Sequence, residues 1–155
     1  MSHAHALLLR PAEPSDRLQL IALSAQLGYD IDADGVAEHL RRLKHDPDQL
    51  LLVALLHGMP IGWVAAAVHH LLIVPAYVEI EGLVVDDGVR QQGVGRALMA
   101  ADEAWASRRG VALVRLRSNI LHEAAHAFYV RCGYTLTKTS HQFSKAIDPP
   151  MKIGL

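Results

Sequence analysis

The chain has 155 residues, 51% of them hydrophobic and 20% charged, with a net charge of -1, so one domain with a sizeable core is expected and no basic field for nucleic acid is present. Apolar runs such as LLLVALL (50 to 56) and WVAAAV (63 to 68) are too short to span a bilayer, and the N-terminus shows no charged leader with a cleavage site; a cytoplasmic protein with no membrane partner is expected. Cys132 is the single cysteine, which excludes an internal disulfide and a multi-cysteine zinc site, and it reads as a small core residue.

Leu7 to Arg10 predicts a short strand stopped by Pro11. Leu20, Leu23 and Leu27 then recur at i, i+3 and i+7, predicting a helix capped near Ser15 and ended at Gly28. A second helix follows Asp32, with Val36, Leu40 and Leu43 on one face, and stops before Pro47. Leu50 to Leu56 and Ile61 to His70 read as two strands around the turn HGMP, and Tyr77 to Val85 as a further strand. Val94 to Arg109 predicts a helix with Val94, Leu98, Ala101 and Trp105 on its apolar face, ended by Gly110. Val111 to Arg117 is a strand, His122 to Cys132 a helix closed by Gly133, and Thr135 to Lys145 a final strand or hairpin. No repeat or linker interrupts this β-α-α-β-β-β-α-β-α-β order, so a single α/β domain over residues 1 to 155 is expected.

The segment VEIEGLVVDDGVRQQGVGRALM (78 to 99) carries the most specific chemistry. A strand runs into a polar turn, and Arg90, Gly93 and Gly95 lead into a helix. Glycines leave the backbone unobstructed, so amide N-H groups can converge with the positive helix end on a phosphate. An ordinary strand-to-helix turn explains the glycines equally well. A Walker A loop would need Gly-Lys-Ser/Thr, and a dinucleotide fingerprint a third glycine where Leu98 stands.

The run Arg90-Gln91-Gln92-Gly93-Val94-Gly95 resembles the Q/R-x-x-G-x-G/A signature of the GNAT superfamily of N-acetyltransferases. SNILHEAAHAFYVRCGY (118 to 134) resembles that family's next block, and the element order resembles its fold: a mixed central sheet with helices on both faces and splayed central parallel strands. The resemblance covers nearly the whole chain. It implies acetyl-CoA as acetyl donor, no metal, and a small-molecule or peptide amine as acceptor, with a homodimer through terminal strands as a further expectation. It also implies that Arg90, Gln91, Gln92, Gly93, Val94, Gly95 and Arg96 hold the pyrophosphate by their backbone. Main-chain groups of Leu83, Val84 and Val85 would pair with the pantetheine arm, which enters where Tyr77–Val85 and Val111–Arg117 splay apart. Asn119 matches a residue that often touches the cofactor; a loop cap is its alternative role.

The implied reaction is direct attack of an amine on the thioester. An amine with pKa near 10.4 is neutral in only about one molecule in 2,500 at pH 7, a penalty of roughly 4 to 5 kcal/mol, so removing its proton is a large part of the task. Glu79 and Glu81 share one face of an apolar strand and are the candidates for general base. Glu79 matches the register of the base in some histone-modifying members and is preferred, and Glu81 matches an acidic position common in small-molecule members; a cross-strand ion pair is the alternative for each. Tyr129 matches the tyrosine that protonates the departing thiolate in many members, against a buried tyrosine bonded to backbone.

HEAAH (122 to 126) also matches H-E-x-x-H, in which two histidines on one helical face bind zinc. A catalytic zinc needs a third protein ligand, and the places where a metalloprotease continues with glycine and histidine hold Tyr129 and Cys132. With ten histidines in the chain, a chance match is the better reading, and His122, His126 and the pair His69-His70 are expected on solvated faces. A catalytically silent acyl-CoA sensor and, remotely, a zinc hydrolase are the alternatives to an N-acetyltransferase.

Overall fold

The computed structural model describes residues 7 to 148, which form two compact units, one up to His122 and one from Glu123. The first unit contains β1 (Leu8–Pro11), α1 (Arg17–Ala25), α2 (Ala33–Leu43), β2 (Gln49–Leu56), β3 (Met59–His69), β4 (Tyr77–Val85), α3 (Val94–Arg108) and β5 (Val114–Leu116). Its sheet runs β1-β2-β3-β4-β5, antiparallel throughout except for the parallel pair β4/β5.

Local chemistry explains most boundaries. The start of α1 falls later than the capping signal at Ser15, because one turn of 3-10 helix over Pro14–Asp16 precedes it. There the Asp16 carboxylate accepts from both terminal nitrogens of Arg10 (2.7 and 2.9 Å) and from the Glu13 amide (2.8 Å). Asp32 caps α2 by accepting from the Gly35 N-H at 2.6 Å. Between β2 and β3, His57 (φ 52°) and Gly58 (φ 75°) are both left-handed, as a two-residue hairpin turn requires.

The sheet is covered on both faces. Leu20 of α1 and Val36 and Leu40 of α2 pack with Val53 and Leu55 of β2, and Trp63 packs against this group. Ala106 of α3 packs with Ala66 and Val78, residues of opposite strand parity and therefore of the other face. The fully buried stripe of α3 is Val94, Leu98, Met99, Asp102 and Ala106, while the expected Ala101 and Trp105 are half-buried and Trp105 packs against the Ala66, Val78 and Ala106 cluster. The true stripe passes through an acid, which a hydrophobic pattern discards.

The parallel ladder is short: Val78, Glu79 and Ile80 of β4 pair with Val114, Arg115 and Leu116, and β4 then runs on to Val85 without β5 beside it. This is the expected splay. The strand expected over Val111 to Arg117 is thereby reduced to three residues.

The second unit holds α4 (Glu123–Arg131), one residue shorter at each end than expected. The final strand expected over Thr135 to Lys145 does not form, and no helix or strand occurs between residues 135 and 148. That segment is mostly polar, and its large apolar side chains Leu136 and Phe143 are exposed, so little burial is available to offset the ordering of a strand.

Candidate active site

The glycine-containing turn is built to leave amides open. Asp86 accepts from the Gly88 N-H (3.1 Å), a turn of 3-10 helix covers Asp87–Val89, and Gln91 (φ 65°) and Gly93 (φ 83°) take left-handed backbone conformations. Gly93 is the N-cap of α3, where it brings no side-chain cap, and the first turn of the helix carries no acid. The early amides of a helix have no intrahelical acceptors, so this end can receive an anion. Val94 is buried and anchors the turn, whereas Gln91, Gln92, Gly93 and Arg96 are exposed and Gly95 is half-buried. The Arg90 side chain folds back to the Val85 carbonyl (3.2 Å) and to Asp87 (2.6 Å), so it braces the loop.

Gln26 at the end of α1 also holds this loop, donating to Asp86 (3.3 Å) and accepting from the Asp87 amide (3.0 Å). No sequence pattern pointed to that contact, which spans 61 positions. Leu83, Val84 and Val85 pair on one side with Val64, Trp63 and Gly62 of β3, and on the other they run past the end of the β5 ladder. Edge amides and carbonyls so placed can take an added extended chain. Asn119 caps a turn, its side-chain oxygen accepting from the Leu121 N-H at 2.9 Å.

Glu79 and Glu81 lie in different environments. Opposite Ala65 and Ala66 the β4 register jumps from Gly82 to Ile80, leaving Glu81 as the extra residue of a bulge. Glu81 is exposed, whereas Glu79 is 5% exposed and ion-paired with Arg117, at 2.8 Å to Nε and 3.3 Å to a terminal nitrogen. Burial pushes the Glu79 pKa up, but the hydrogen bonds and charge of Arg117, with His69 and Arg115, outweigh it and hold the carboxyl below its ordinary value. The ion pair named as an alternative for Glu79 therefore exists. Both glutamates also reach one imidazole: His69 Nε2 is 3.7 Å from Glu79 and 3.4 Å from Glu81. His69 thus sits in the carboxylate cluster, which revises its reading as a solvated bystander.

In the second unit, Tyr129 is half-buried on α4, with Phe128 and Tyr134 edge-on to it at 5.4 and 6.4 Å. Burial, then the neighbouring Cys132, raises the phenol pKa above 10.0, so the hydroxyl keeps its proton at neutral pH. His122 precedes the helix that holds His126, so the two are not successive turns of one helix. Among the described residues no three His, Cys, Asp or Glu side chains are grouped to hold a metal ion.

A cavity of about 440 Å³ opens beside α2 and the α1–α2 connection, with Leu51, Trp63 and Ala65 as floor and Asp30, Asp32 and His39 at the polar side. By alternation along β3, Trp63, Ala65, Ala67 and His69 project to one face, and Glu79 lies directly opposite Ala67. Cavity and carboxylates therefore share a face of the sheet. Trp63 links them: its ring lies over Gly82, where an added methyl would fall 2.6 Å from Cζ3. A smaller cavity of about 250 Å³ is lined by Arg17, Arg41 and Lys44 and is electrostatically unsuited to a cation.

Residues 18–134 match the family model described as Acetyltransferase (GNAT) family, three-quarters of the chain and both motifs included. The chain belongs to the GNAT acetyltransferase family. An aminoalkylphosphonate N-acetyltransferase of Salmonella typhimurium is 35% identical over 127 residues, 81% of this chain and 78% of that one. An aminoglycoside N(6')-acetyltransferase type 1 of Stenotrophomonas maltophilia is 28% identical over 156 residues, covering 94% and 97%. The solved structure of an aminoglycoside N-acetyltransferase in complex with CoA has the same fold, with a TM-score of 0.86 at 18% identity over 95% of this chain and 99% of that one. This GNAT protein is an acetyl-CoA-dependent N-acetyltransferase. Among the described residues no helix is long and apolar enough to cross a membrane.

Proposed function

We propose that this N-acetyltransferase acetylates a small-molecule primary amine bound in the cavity between α2 and the sheet. The observation that carries the proposal is that cavity, about 440 Å³ with Asp30 and Asp32 on its wall and an apolar floor continuous with the β4 bulge. Its size suits a small ligand and its acids attract an ammonium. The named activities of the relatives, toward aminoalkylphosphonates and aminoglycosides, support the same class of acceptor. A cytoplasmic site of action fits this reading, and so does one catalytic domain, since the family match runs through the boundary at His122.

Acetyl-CoA supplies the activated carbonyl. In this reading the amides from Arg90 to Arg96 receive its pyrophosphate, the free edge of Leu83 to Val85 receives its pantetheine arm, and Asn119 holds the adjoining turn. Glu81, exposed at the bulge, is the first proton acceptor; Glu79, clamped by Arg117, keeps a fixed negative charge beside it. Tyr129, whose phenol stays protonated, is the acid for the departing thiolate. A thiol-release assay across polyamines, aminoalkylphosphonates, aminoglycosides, amino acids and lysine peptides tests this. Turnover confined to small amines supports it, and turnover of peptides alone refutes it. Tight acetyl-CoA binding with no turnover on any amine would instead favour an acyl-CoA sensor.

A further inference from the structure

We propose that His69 is a proton outlet of the acetyl transfer: the proton that Glu81 draws from the acceptor ammonium, beside the fixed charge of Glu79, passes to the His69 imidazole and from there to solvent. The proposal rests on the acetyl-transfer reading above and assigns the regulation of its proton balance. His69 acts through the glutamates and is a relay residue.

Position is the first support. The β4 bulge adds Glu81 to the strand, and as a result Glu79, Glu81 and His69 converge: Nε2 stands 3.4 Å from Glu81 Oε1 and 3.7 Å from Glu79 Oε2. The ring is held in place by stacking on Tyr77, with centroids 5.4 Å apart and planes 9° from parallel. Tyr77 is fixed in turn by Arg115, whose guanidinium carbon lies 3.6 Å from the ring centroid and whose terminal nitrogen donates to the hydroxyl at 2.6 Å. Arg117 occupies Glu79 from the β5 side, so the charged groups around the imidazole are Glu79, Glu81, Arg115 and Arg117. The adjacent His70 turns instead to Asp48, at 3.2 Å. The side chains of His69 and Glu81 are 34% and 50% exposed, against 6% for Glu79, so these two give the cluster its access to water.

Chemistry is the second support. Passing a proton from an ordinary ammonium to an ordinary carboxylate is uphill by a factor of about 10⁶, and to an ordinary imidazole by about 10⁴. A carboxylate held ionised by Arg117 is a poor resting place for that proton, and a neighbouring imidazole is a better one. The step balances. The ammonium loses one proton to the relay, the freed lone pair forms the C–N bond as the C–S bond breaks, and the second amine proton reaches the thiol by way of Tyr129. One proton leaves through His69.

The test compares the full-length protein with its His69→Gln, His69→Ala and Glu81→Gln variants, using an amine that the wild type turns over, from pH 5.5 to 9.5. His69→Gln should lower kcat by about 10-fold or more with both KM values little changed, and should alter the acid limb of the pH profile. Added imidazole should restore part of the rate to His69→Ala. Glu81→Gln should lower kcat as well, and combining it with His69→Gln should add little further loss, as expected of two residues on one proton path. Wild-type kcat and acid limb in His69→Gln, or losses that simply add in the double variant, would overturn the relay. A wild type that binds acetyl-CoA and turns over no amine overturns the acetyl-transfer reading, and the relay with it.

Discussion

Asp102 offers the sharpest test of the packing. Its side chain is 0% exposed on the sheet-facing stripe of α3, and neither carboxyl oxygen has a hydrogen-bond partner. Burial, and to a lesser extent the charge of Glu103, pushes its pKa from 3.8 up to about 7. Between those values the folded protein keeps a proton that the unfolded chain has released. The stabilising effect of the bound proton is thus fully present below about pH 4 and is lost as pH rises through about 7. A displacement of about three pKa units corresponds to roughly 4 kcal/mol. Asp102→Asn keeps the shape and cannot ionise, so its stability relative to wild type should rise by about 3 to 4 kcal/mol between pH 4 and pH 8. For a chain of this size that is roughly 10 °C in Tm. Urea and thermal unfolding of both proteins at matched pH measure it, and contributions from Asp16, Asp48 and Glu79, all held low by arginine partners, cancel in the difference. A constant offset between the two proteins from pH 4 to pH 8 would refute the buried-charge account.

Tyr129→Phe should lower kcat by about 10-fold or more and leave acetyl-CoA affinity largely intact, since only the acid is removed; single-turnover rates with direct binding measurements separate the two. Gly93→Val places a β-branched residue at φ 83°, which costs roughly 1 to 2 kcal/mol and should weaken acetyl-CoA binding about 10-fold; calorimetry showing normal affinity would count against the phosphate loop. Gly82→Ala drives a methyl to 2.6 Å from the Trp63 ring, so the indole must move into the cavity. The acceptor KM should then rise while acetyl-CoA binding changes little, and an unaltered acceptor KM would remove the cavity from the acceptor site.

Residue types and spacing alone were enough for the elements that obey short-range rules. The strand Tyr77–Val85 ends where the sequence puts it, the left-handed Gly93 stands at the helix start, and the hairpin turns at His57-Gly58, because turns and caps are decided by neighbours within a few positions. Through the resemblance carried by Arg90 to Gly95 and by residues 118 to 134, the family was legible as well. Thr135 to Lys145 forms no strand because a strand exists only with a partner and a face to bury, and a mostly polar segment supplies neither.

Tertiary structure decided which groups lie together. Glu79 and Arg117 are 38 positions apart, His69 and Glu81 are 12 apart, and Gln26 reaches a loop 61 positions on. Such pairs depend on strand register, and one extra residue at the Glu81 bulge re-aims the side chains beside it. The burial of Asp102 was equally invisible, because periodicity weighs a carboxylate as solvent-facing whatever the sheet beneath the helix imposes. The sequence by itself determined the family and the glycine turn that opens α3, which are local in the chain. The juxtaposition of Glu79, Glu81, His69 and Arg117 is a property of how β3, β4 and the end of β5 lie side by side.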